Sequence, residues 1–119
     1  MKGKRGYHIC ADLYGCSKKL LDDIRFVKTT VKEAVKASGL ELIGIRLHKF
    51  NPHGITGYAL LKTSHVALHT WPEFNYAAID VFSCDGKKKA EKAMKFLLEK
   101  FKPKHVKKTS FERKYTLTG

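Results

Sequence analysis

The chain has 119 residues and a formal net charge of +13, enough for one domain with its own core and too little for a second. No apolar run approaches the roughly 18 residues of a membrane span, and Met1-Lys2-Gly3-Lys4-Arg5-Gly6 lacks the apolar stretch of a secretory leader. A single cytoplasmic domain over 1–119, with no membrane role, is therefore expected.

The three cysteines, Cys10, Cys16 and Cys84, form no Cys-x-x-Cys pair, which argues against a disulfide framework or a zinc knuckle and for reduced thiols. The charge is lopsided: residues 85–119 carry 12 basic and 4 acidic groups, so +8 of the +13 lies there. Such a patch suits phosphates, but Lys87, Lys88, Lys89, Lys92, Lys95 and Lys100 also fit the outer face of an amphipathic helix. Lysine dominates arginine throughout, so a nucleic-acid partner is not expected.

Tyr7 to Leu13 reads as a strand, broken at Gly15. Asp22 or Asp23 is placed to cap a helix in which Ile24, Val27, Val31, Ala34, Val35 and Ser38 recur at three- and four-residue steps, and Gly39 supplies its stop. Leu40 to Phe50 and Ile55 to Leu61 read as a hairpin about the Asn51-Pro52-His53-Gly54 turn. A further strand runs through His65 and His69 to Trp71-Pro72-Glu73, where proline interrupts the ladder.

Tyr76 to Ser83 then alternates Ala77, Ile79, Val81 and Ser83 against Ala78, Asp80 and Phe82. Lys87 to Phe101 is a second helix with Ala90, Ala93, Met94, Leu97, Leu98 and Phe101 inward, and Val106 to Arg113 forms a last strand. This order predicts an α/β fold of the α+β type: a two-layer sandwich of an antiparallel sheet with two helices on one face. The uncovered sheet face would need a partner, and a homodimer is expected.

The stretch from Leu60 to Glu73 concentrates the chemistry. At a period of two, His65, Ala67 and His69 share one face of a strand while Val66 and Leu68 share the other, so one face reads as core and the other as a site. Ser64 has no Gly-x-Ser-x-Gly elbow, which argues against an α/β-hydrolase triad. His65 and His69 could share a metal with His48, His53 or Cys84, but no Glu follows the first histidine and the segment reads as strand, so no metal site is expected. Taken singly, Cys84 reads as a half-buried structural thiol, Phe50 and Trp71 as core, Glu73 as a loop carboxylate, and Asp80 as either an outward charge or a paired buried one.

Taken together the residues are more specific. Gly6-Tyr7-His8, Asp12-Leu13-Tyr14-Gly15-Cys16, His48 through Gly57, Ser64-His65-Val66-Ala67-Leu68-His69-Thr70-Trp71-Pro72-Glu73 and Ala77 through Cys84 resemble the short prokaryotic S-adenosylmethionine decarboxylase proenzymes, in order and over nearly the whole chain. That resemblance implies self-cleavage. The hydroxyl of Ser64 would attack the carbonyl of Thr63, giving an ester by an N-to-O acyl shift, and β-elimination and hydrolysis would leave a covalent pyruvoyl group at residue 64. The products would be a beta chain, 1–63, and an alpha chain, 64–119.

By the same resemblance His69 assists the proton removal, and Thr56 takes the place of a hydroxyl residue, more often serine, that supports processing. Cys84 is the catalytic acid that protonates the substrate after carbon dioxide leaves. Phe50 and Trp71 flank the adenine, and Glu73 binds the ribose hydroxyls. The pyruvoyl carbonyl would form a Schiff base with the substrate amine and delocalise the charge that decarboxylation leaves on Cα. The implied activity is decarboxylation of S-adenosylmethionine to the aminopropyl donor for spermidine. The residue before the cleaved serine is usually Glu in this family and is Thr63 here. Alternatives are a pyruvoyl-dependent arginine or ornithine decarboxylase on the same scaffold, or a non-cleaving homologue that binds through its basic face.

Overall fold

The computed structural model describes residues 5–117. Its elements in chain order are β1 (Arg5–Tyr14), α1 (Lys18–Leu21), α2 (Ile24–Ser38), β2 (Leu42–Lys49), β3 (Ile55–Leu61), β4 (Ser64–Trp71), a single 3-10 turn (Pro72–Phe74), β5 (Tyr76–Ser83), α3 (Lys87–Phe101) and β6 (His105–Lys114). The six strands form one sheet in the order β2-β3-β4-β5-β1-β6, and every neighbouring pair is antiparallel. The helices cover one face, with α2 and α3 packed on each other, α3 against β1 and β5, and α2 against β2 and β3.

The core lies between these layers because the alternating residues meet the helix stripes there. Ile9, Ala11 and Leu13 of β1, Val66 and Leu68 of β4, and Ala77, Ile79 and Val81 of β5 are buried against Val27, Val31, Val35, Met94, Leu97 and Phe101. Fully burying one such side chain is worth about 1.5–3 kcal/mol, so this face fixes the register of the sheet: a slip of one residue would turn the whole set outward.

The sandwich has the predicted architecture, with one helix more than expected. The four residues of α1 are capped by Ser17, whose hydroxyl accepts the Leu20 N–H. Of the two candidate caps, Asp23 serves α2 through Phe26 N–H at 3.0 Å, and Gly39 ends that helix in the left-handed region at φ 81. Strand limits also move: β1 begins at Arg5, β2 runs from Leu42 to Lys49, and β6 from His105 to Lys114. Phe50, expected within a strand, instead opens the turn, its N–H donating to the Gly54 carbonyl at 2.8 Å. Among the described residues no helix is long and apolar enough to cross a membrane.

Candidate active site

Residues Lys62 and Thr63 make the two-residue turn between β3 and β4, with Leu61 facing Ser64 across it. On the other side Ser64 faces Ser83, so the first residue of β4 lies beside the last residue of β5. One hydrogen bond ties the turn to that neighbour: the Cys84 N–H donates to the Thr63 carbonyl at 3.0 Å. The Thr63 and Ser64 hydroxyls are 3.5 Å apart. Cys84 is only 3% exposed, in a bend that Ser83 shapes by accepting the Asp85 N–H at 3.0 Å. The carbonyl next to the candidate nucleophile is thus held by a backbone donor, an arrangement that polarises it and holds negative charge gathering on its oxygen.

A second group of residues gathers at the far end of β4. Thr56 and His69 are opposite each other in the β3–β4 ladder, and the Thr56 hydroxyl is hydrogen-bonded to His69 Nδ1. Phe50, Ile55, Thr56, His69, Trp71 and Glu73 line a groove of about 410 Å³. Phe50 and Trp71 show 47% and 39% of their surface, so they are open ring faces rather than core. The Glu73 carboxylate pairs with His53 Nε2 at 3.3 Å.

This end is braced by residues that sequence reasoning passed over. Asp22, considered only as a helix cap, instead accepts the Gly54 N–H at 2.8 Å and Lys49 Nζ at 3.0 Å. The backbone donor, ahead of Lys49, holds its carboxyl below the usual value against a smaller opposing effect of burial. Thr70 accepts the Ile55 N–H at 2.9 Å and donates to the Leu21 carbonyl at 2.8 Å. Together Asp22 and Thr70 fasten the loop carrying Phe50 to α1. Gly54 sits at φ 107, and a Cβ there would lie 3.2 Å from the Thr70 carbonyl oxygen.

The two groups are not together within one chain. Ser64 and His69 are five residues apart in a continuous strand, which at about 3.3 Å per residue separates them by roughly 16 Å. The structure therefore places Ser64 and Cys84 at one end of the sheet's centre and Thr56, His69, Phe50, Trp71 and Glu73 at the other.

Between them, on the face away from the helices, Asp80 Oδ2 binds His8 Nε2 at 3.1 Å and His65 Nε2 at 2.9 Å. Burial pushes the Asp80 carboxyl up, but the hydrogen bonds and charges of His65 and His8 outweigh it and hold it below the usual value. Of the two roles open to Asp80, the structure shows the paired one. His8, His65 and Asp80 offer three ligand atoms within 4.8 Å of one another. However, Arg113 Nη1 stands 3.4 Å from His8 Nδ1, and a guanidinium only donates. That contact makes Nδ1 the acceptor and leaves the His8 proton on Nε2, toward Asp80, which suits a hydrogen-bonded triad better than a metal. The metal set considered from sequence is dispersed: His65 is held by Asp80, His69 by Thr56, and His53 by Glu73, while His48 packs on Phe50 at 4.7 Å between ring centroids.

Known proteins resemble this chain in sequence and in fold. A family model described as S-adenosylmethionine decarboxylase matches residues 7–114. The S-adenosylmethionine decarboxylase proenzymes of Sulfurihydrogenibium sp. and Persephonella marina are each 45% identical over 113 residues, covering 95% of this chain and 85% of the relative. The crystal structure of the adenosylmethionine decarboxylase from Aquifex aeolicus superposes with a TM-score of 0.91 at 35% identity, covering 99% of this chain and 98% of that one. With a matching family model, close relatives over nearly its full length and the same fold, this chain belongs to the S-adenosylmethionine decarboxylase family.

Proposed function

We propose that the chain is a proenzyme that cuts itself between Thr63 and Ser64 and then decarboxylates S-adenosylmethionine, using a pyruvoyl group generated at residue 64. The observation that carries this reading is the Cys84 N–H held 3.0 Å from the Thr63 carbonyl oxygen, beside the one serine able to attack that carbonyl from its own side chain. As the Ser64 hydroxyl adds to the Thr63 carbon, negative charge collects on an oxygen that already has its donor, so no reorganisation is needed. A serine at a tight turn, next to a polarised carbonyl, fits the precursor of such a group. A pyruvoyl group at residue 64 would supply a carbonyl able to condense with the substrate amine and to act as the sink for the electron pair that decarboxylation releases.

The remaining roles fall to side chains. Cys84 donates the proton that replaces carbon dioxide on Cα. Phe50 and Trp71 offer faces to the adenine, and the substrate sulfonium gains cation–π attraction from such rings. Glu73, oriented by His53, receives the ribose hydroxyls. Thr56 fixes His69 through its Nδ1, leaving Nε2 to accept or deliver a proton. An aromatic groove with a carboxylate suits a nucleoside better than arginine or ornithine.

The 16 Å gap requires a second copy. His69 cannot act on Ser64 of its own chain, but a two-fold axis through the open sheet face, level with Val66 and Ala67, would bring His69 of one chain to the end of the sheet that carries Ser64 of the other. That face has reason to be covered: Tyr58, Leu60 and Phe111 are 44–49% exposed on it, and the small Ala67 and Ala78 at its centre permit close approach. The functional unit is a homodimer of cleaved protomers acting in the cytoplasm. Release of labelled carbon dioxide from carboxyl-labelled S-adenosylmethionine, with arginine and ornithine in parallel, tests the substrate assignment. Release from either amino acid alone would overturn it.

A further inference from the structure

Trp71 ends a strand that has a neighbour on each flank. On one flank β3 supplies the groove through Ile55 and Thr56. On the other lies β5, where Tyr76 is directly opposite Trp71. The two rings are 5.3 Å apart between centroids and 34° from parallel, within the range of a stacked aromatic pair. Among the described residues the groove lining includes Trp71 and not Tyr76, so Tyr76 stands behind the indole, on the flank away from the groove.

Tyr76 is held in its turn. It faces Tyr14 across the β1 ladder, with ring centroids 5.4 Å apart, and its hydroxyl donates to Asp12 Oδ1 at 2.6 Å. Asp12 and Tyr14 alternate with the buried Ala11 and Leu13, which puts them on the same open face as Tyr76. A phenol donating to a carboxylate makes a short, charge-assisted bond. Burial, together with that bond, pushes the Tyr76 phenol up to about 12, so it remains a donor through the neutral range. Asn75 sets where β5 begins: its side-chain amide donates to the Cys16 carbonyl at 2.8 Å, and its own carbonyl accepts the Cys16 N–H at 3.0 Å.

We infer that Tyr76 is the positioning residue for the adenine-stacking face of Trp71, with Asp12 as its anchor on a third strand. A half-exposed indole turns about two side-chain bonds, and time spent away from the stacking orientation weakens binding in proportion. The Tyr76 ring opposes rotation of Trp71 toward β5, and the bond to Asp12 keeps the phenol from swinging aside. Tyr76 meets the substrate only through Trp71, so its contribution is to affinity and not to the chemical step. This role rests on the reading of the groove as the nucleoside site.

Trp71 is the one tryptophan of the chain, so its emission reports this ring alone. The test compares the full chain with Tyr76→Phe, which keeps the ring and removes the hydroxyl, and with Tyr76→Leu, which removes both. Asp12→Ala takes away the anchor, and Asp12→Asn retains an acceptor oxygen. The first readout needs no turnover: time-resolved fluorescence anisotropy of Trp71, and the Kd of S-adenosylhomocysteine from quenching of its emission. Faster local depolarisation is expected in Tyr76→Phe and Asp12→Ala, with Kd raised about fivefold. Tyr76→Leu should raise it about tenfold, and Asp12→Asn less than about twofold. In carbon dioxide release the same factors should appear in KM with kcat unchanged. Unchanged anisotropy and Kd in both Tyr76 variants overturn the inference, and a defect confined to Tyr76→Leu overturns Asp12 as the anchor. A fall in kcat at constant KM also overturns it, because the phenol would then act in the chemistry. Weakened S-adenosylhomocysteine binding in the variants, with no carbon dioxide from the parent, upholds the placement of Trp71 and overturns the decarboxylase reading instead.

Discussion

Replacing Ser64 by alanine in one copy of the chain and His69 by alanine in another should give two proteins that are each inactive and yet active when combined. The first lacks the residue that is cleaved, and the second lacks the proton acceptor. In a mixed pair, one site combines the intact Ser64 of one chain with the intact His69 of the other, while the second site carries both substitutions. Random pairing makes about half of all pairs mixed, and one site in two is complete in each, so co-expression should recover about a quarter of the parent activity. The magnitude follows from the roughly 16 Å that five strand residues span, which no side-chain rearrangement within one chain closes. The assay is carbon dioxide release from co-expressed, differently tagged chains purified through both tags in succession, where the yield per mixed pair should approach half. Activity no higher than that of either variant alone would refute the shared site.

Two further substitutions test how the substrate end is built. Asp22→Ala frees the Gly54 N–H and Lys49 and loosens the loop bearing Phe50. With the carboxylate about a third exposed, this should cost about 1 kcal/mol, read as a KM rise of about fivefold with self-cleavage unaffected. Because the folded-state pKa of Asp22 is depressed, its stabilisation is fully present above the unfolded-state value of about 3.9 and is lost as pH falls through the folded value. Acid unfolding curves of Asp22→Asn should therefore be flatter below about pH 4 than those of the parent. Gly57→Ala would place a Cβ 2.4 Å from the Arg46 carbonyl oxygen and 2.8 Å from Leu47 Cα. Neither backbone atom can move without parting β2 from β3, so denaturant unfolding should show a loss of about 2–4 kcal/mol.

The fold was legible where side chains alternate against a core. β5 buries every second residue from Ala77 to Ser83, and both long helices carry a single apolar stripe, so their type and limits follow from periodicity. α1 has four residues and too few turns to show a period. β6 is exposed along its whole length, so its sequence pattern does not reveal that it pairs with β1, and the position of β1 between β5 and β6 depends on contacts a hundred residues apart.

The site divides in the same way. The residue types around Ser64 and His69 were readable, but nearness in sequence is misleading in an extended strand, where five residues span most of the sheet. Asp80 could not be resolved from alternation alone, because its partners His8 and His65 come from the two neighbouring strands. Asp22 resembled a helix cap, since it acts on a distant loop that only the folded chain brings near.

The most direct measurement is an intact-mass spectrum of the purified protein under denaturing conditions, followed over time. The account predicts two species, residues 1–63 and residues 64–119 with a pyruvoyl group in place of the serine N-terminus, and their loss in Ser64→Ala. A single uncleaved chain that persists on incubation, or a cut at any other bond, would contradict it.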